Sequence, residues 1–73
     1  MNKFNEIKLE EKVEKLQKLQ RELYAEYKEL IDDNVFMKMN TRLEILQTMQ
    51  QILKIGKTTD NLKNSFYIEK FDN

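Results

Sequence analysis

The chain of 73 residues contains no cysteine, histidine, proline or tryptophan, and a single glycine. The missing cysteine and histidine exclude disulfides and the common zinc sites. They also remove the usual nucleophile–base pairs of covalent catalysis. A chain this short removes only about 60% of its unfolded surface from water, and small domains ordinarily need a disulfide, a metal or a partner chain. With the first two excluded, association is the support that remains. Long apolar runs are missing as well: nothing approaches the roughly 20 residues that span a bilayer, so no membrane segment is expected. The start, MNKFNEIKLEEK, has neither an apolar core segment nor a small-residue cleavage site, so no secretory leader is expected and the cytoplasm is the default location.

Charge of one sign is lacking too. Thirteen basic and 13 acidic residues cancel, and charged side chains make up 36% of the chain. They are interspersed, as on exposed helix faces, rather than gathered into a nucleic-acid footprint. Frequent Lys, Asn and Ile beside only two arginines, Arg21 and Arg42, suggest an AT-rich genome and a phage or mobile-element origin.

What is present is a leucine repeat. In LEEKVEKLQKLQRELYAEYKEL, leucine recurs every seventh residue at Leu9, Leu16, Leu23 and Leu30. The surrounding Glu, Lys, Gln and Ala are good helix formers, so a long helix is predicted over about 5–33. With the leucines at heptad position d, Val13, Gln20 and Tyr27 occupy position a. Glu11 with Lys15 and Glu14 with Lys18 form supporting i,i+4 pairs. Asp32-Asp33-Asn34 breaks the pattern with turn-forming residues. Thr41 and Glu44 match a capping box, predicting a second helix over about 41–55 with Ile45, Leu46, Met49, Ile52 and Leu53 on one side. Gly56 stands where a C′ glycine would close it. A third element over about 59–71 is then expected, either a short helix or an extended tail. The fold class is all-α: a single small domain, a helical hairpin with a short C-terminal appendage.

No motif points to chemistry. Gly56-Lys57-Thr58 ends like a phosphate-binding loop, but the required earlier glycine position holds Gln51 and a helix, not a strand, precedes it. Glu10, Glu11 and Glu14 alternate with lysines on a solvated face, and acid–base work needs carboxylates whose environments separate their pKa values. Asp32 and Asp33 lack the further oxygen ligands of a calcium loop. No catalytic residue, cofactor, metal or small-molecule substrate is therefore assigned, and the chain is not expected to be an enzyme.

Two binding classes remain. A basic zipper is excluded, because only Lys3 and Lys8, with Glu6 between them, precede Leu9. A helix-turn-helix over 41–71, turning at Gly56, is the alternative reading, a small DNA-binding regulator. Its second helix carries Lys63 and Lys70 against Asp60, Glu69 and Asp72, so it offers no net positive charge for phosphates.

Protein binding is the preferred function. The apolar stripe is wide: Leu19 falls at g, Tyr24 and Ile31 at e, which suits a helix packed on two sides rather than a lone two-stranded seam. A second helix of about 15 residues would span about 22 Å and cover only the C-terminal half of the first. Leu9, Val13, Leu16 and Leu19 would stay uncovered, so another chain, most simply a second copy forming a homodimeric helical bundle and otherwise another protein, is expected over Leu9, Val13, Leu16, Leu19, Gln20, Leu23 and Tyr27. Secondary contacts are assigned to Phe36, Met37 and Met39, the alternative being that they fill the bend. Phe66, Tyr67 and Phe71 are assigned likewise, the alternative being that they close the chain's own core.

Overall fold

The computed structural model describes the backbone of residues 3–72 and the side chains of residues 8–66. It contains two helices, α1 (Lys3–Asp32) and α2 (Met39–Asp72), packed against each other as a hairpin with principal extents of 55 × 16 × 12 Å.

Helix α1 ends where the turn-forming residues begin. The Asp33 N–H still donates to the Glu29 carbonyl, and the Asn34 N–H donates to Ile31 with the tighter spacing of a closing turn. The Asn34 side-chain amide donates to the Leu30 carbonyl at 2.7 Å, satisfying one of the four carbonyls a helix end leaves open. The last turn holds no basic residue of its own, although the C-terminal dipole is negative. Arg42, from the start of α2, brings a positive charge there by donating from Nη2 to the Asn34 carbonyl at 3.2 Å.

That anchor, with the Met37 N–H bonded to the Asn34 carbonyl, sets the entry of α2. The first helical bond runs from Arg42 N–H to the Lys38 carbonyl. The helix therefore starts two residues before Thr41, and the Thr41–Glu44 capping box is not its boundary. Short polar residues inside α2 satisfy themselves by bonding back one turn: Thr48 to Glu44, Thr58 to Lys54, Thr59 to Ile55 and Ser65 to Asn61.

The largest departure from the sequence expectation lies at Gly56. It neither closes a helix nor adopts a positive φ; α2 runs through it unbroken to Asp72. The separate third element over 59–71 is thus the second half of α2. The physical reason is proximity. A Cβ at Gly56 would lie 2.7 Å from Cδ and Nε2 of Gln20, so the glycine leaves room for the Gln20 amide against α2. Gln20 uses that space to donate from Nε2 to the Ile52 carbonyl at 3.0 Å.

The core is one thin seam. Val13 from α1 and Ile45, Met49 and Ile52 from α2 are buried, and Thr59 joins them. None of the described side chains is below 2% exposure. Along α2 the inward positions Ile45, Met49, Ile52, Gly56 and Thr59 are spaced alternately four and three apart, the repeat of one helix face.

Candidate protein-binding face

The seam selects which stripe of α1 looks inward. Val13 is buried and Gln17, Gln20, Tyr24, Tyr27 and Ile31 are half-buried. These are heptad positions a and e, not a and d. Register across the seam is fixed by two directional contacts, Gln20 to the Ile52 carbonyl and Gln17 Nε2 to Asp60 Oδ1 at 2.7 Å.

Position d consequently lies on a flank. Leu16, Leu23 and Leu30, with Leu19 beside them, are 44 to 50% exposed. Leu9 is half-buried. The opposite flank is a shallow groove of about 420 Å³ lined by Gln17, Arg21, Tyr24, Leu53, Lys57 and Asp60. That groove fixes which side of α2 faces which way. Ile55 and Leu62, across the inward row from Leu53 and Lys57, share the leucine flank, and both are exposed. The groove is mixed in chemistry, and its Gln17 and Asp60 already bond each other. The leucine flank is the more uniformly apolar side.

The residues assigned to a partner from sequence are therefore divided by the fold. Val13, Gln20 and Tyr27 turn toward α2, whereas Leu16, Leu19 and Leu23 turn outward. Their exposure does not come from a short second helix: α2 has 34 residues against 30 in α1 and covers Val13 itself. At the bend, Met37 is half-buried, while Phe36 is 100% exposed and Val35 and Met39 are largely exposed. Phe36 and Met39 do not fill the bend. Phe66 is half-buried; the side chains of Tyr67 and Phe71 lie outside the described residues. Ile55 and Leu62 are not evident as contact residues in the sequence, because their place on this flank depends on α2 continuing in register past Gly56.

Other site chemistries find little footing. Among the described residues no cluster of carboxylates could hold a metal ion, and no helix is long and apolar enough to cross a membrane. The helix-turn-helix reading needs a turn at Gly56, and the unbroken α2 removes it. No protein-family model, curated protein or solved structure matches the chain. What the fold and its surface define is an all-helical hairpin without enzymatic motifs, of the kind consistent with a non-catalytic interaction module.

Proposed function

We propose that the chain is a non-enzymatic protein–protein interaction module, an adaptor, inhibitor or assembly factor that works by occlusion or scaffolding. One observation carries the reading: the hairpin leaves the leucine row Leu16, Leu19, Leu23 and Leu30 half exposed on a single flank. Contiguous apolar patches on a small chain mark interaction surfaces. Each half-exposed leucine would gain about 1 kcal/mol on full burial, a substantial gain for a seam with four buried apolar side chains among the described residues. A cytoplasmic setting and a phage or mobile-element origin, expected from composition, belong to the same reading.

The test is a photo-crosslinking residue placed at Leu19 in the producing cell, with Lys18, on the polar side of α1, as the comparison. Defined protein adducts from position 19 and not from position 18 support the reading. Equal labelling from both positions, or none from either, contradicts it.

A further inference from the structure

The leucine flank has a second property, visible only once the hairpin fixes which residues border it. Its outward edge on α1 is segregated by charge. Lys12 and Lys15 lie on the N-terminal side of Leu19, and Glu26 and Glu22, the latter paired with Lys18 of its own helix at 4.0 Å, on the C-terminal side. Lys12 is seven residues before Leu19 and Glu26 seven after, so all three fall at one heptad position, two turns apart. Leu16 and Leu23 are placed almost symmetrically about the same point.

A surface of this kind is self-complementary under a two-fold axis perpendicular to the helix. Laid across itself antiparallel, with the axis near Leu19, it brings Leu16 toward Leu23 of the partner subunit. It sets Lys12 and Lys15 against the acidic end that carries the partner subunit's Glu26. A parallel arrangement of α1 on its copy also sets leucine on leucine, but it stacks lysine on lysine and glutamate on glutamate, and like charges oppose pairing. The isologous geometry is the commonest way in which a chain closes on itself. Opposite Leu19 across the seam, at the level of the Gln20–Gly56 contact, Ile55 lies on the same flank and would meet its own copy near the axis.

Resting on the reading that the leucine flank binds protein, we infer that its occupant is a second copy of this chain, in an antiparallel two-fold dimer centred near Leu19 that completes a four-helix bundle. The polar groove along Gln17, Arg21 and Asp60 stays on the outside of that bundle.

Charge reversal tests both the occupant and its direction. Lys12→Glu/Lys15→Glu and Glu22→Lys/Glu26→Lys each turn attraction into repulsion at both ends of the dimer. Each pair should weaken self-association at least about tenfold, since exposed ion pairs contribute a few tenths to one kcal/mol apiece. The four substitutions combined restore opposite charges and should return the dissociation constant to near the wild-type value. Masses are read by light scattering at tens of micromolar, with helicity from circular dichroism confirming that every variant is folded. A dimer that loses and regains affinity in this pattern supports the inference. A dimer indifferent to the reversals, or not restored by the combination, overturns the antiparallel arrangement. A wild-type mass of one chain, 8.9 kDa, overturns the second copy. In that event crosslinking from Leu19 separates the two ideas: adducts with other proteins preserve the interaction reading, and no adducts at all remove both.

Discussion

The stripe that α1 turns toward α2 and the flank it leaves open divide its residues in an unusual way. Inward lie Val13, Gln17, Gln20, Tyr24, Tyr27 and Ile31; outward lie Leu16, Leu19, Leu23 and Leu30. The inner stripe carries two glutamines and two tyrosines, whereas the outer is entirely leucine. The difference follows from what each must do. The inner stripe has to fix register between two helices of one chain, and hydrogen bonds such as Gln20 to the Ile52 carbonyl and Gln17 to Asp60 are directional. The outer row supplies apolar area, which is non-directional and grows with the surface removed from water. Register is built inside, and apolar area is left on the flank.

The two stripes should fail differently. Ile52, 3% exposed, holds the seam, and Ile52→Ala should cost about 2–5 kcal/mol of stability. Chemical denaturation at several protein concentrations should show the loss at every one of them. On the outer row, Leu16→Glu/Leu23→Glu should weaken self-association by more than about a hundredfold, from lost leucine burial at four positions in the dimer. Wild-type melting should rise with protein concentration, as linkage to association requires, and melting of this variant should not. If both variants behaved alike, the two stripes would not be distinct in function.

Gly56 sharpens the comparison from within the seam. Gly56→Ala gains about 1 kcal/mol of helix propensity but pushes aside the Gln20 amide, whose hydrogen bond is worth about 1 kcal/mol. The single change should therefore be nearly neutral. Gly56→Ala combined with Gln20→Ala should be more stable than the two single effects predict, by about 1 kcal/mol in a double-mutant cycle. Additive behaviour would show that the close approach is not what the glycine serves. The smallest effect is expected at the bend. Phe36→Ser should change the melting temperature negligibly, within about 0.5 kcal/mol, because the ring is fully exposed; a marked drop would place Phe36 in a core.

Much of this architecture is legible in the residues themselves. The run of Glu, Lys, Leu and Gln announces α1, Asp32-Asp33-Asn34 announces its end, and Ile45, Met49 and Ile52 announce the buried row of α2, whereas Leu46 and Leu53, read onto the same side, are exposed. Gly56 misleads because its two uses look alike in sequence: it can close a helix by αL geometry or leave room for a side chain of the neighbouring helix. Choosing between them requires Gln20, 36 positions away in the chain. One local signal was present, since the four-and-three spacing of Ile45, Met49 and Ile52 continues through Gly56 to Thr59. The inward stripe of α1 is illegible for a related reason. Apolar residues occupy a, d, e and g, so periodicity defines a wide face, and only the position of α2 decides which part of it is buried.

The claim that a second copy covers the leucine row, running antiparallel about Leu19, is tested most directly by single-cysteine crosslinking, for which the cysteine-free chain supplies a clean background. Leu19→Cys and Leu30→Cys are each treated with a short bismaleimide. The two-fold axis puts position 19 next to its own copy and carries position 30 to the far end, beside the partner's Leu9. Rapid dimer formation from Leu19→Cys and little from Leu30→Cys is the predicted result. Equal crosslinking at the two positions, or none at Leu19→Cys, would contradict it.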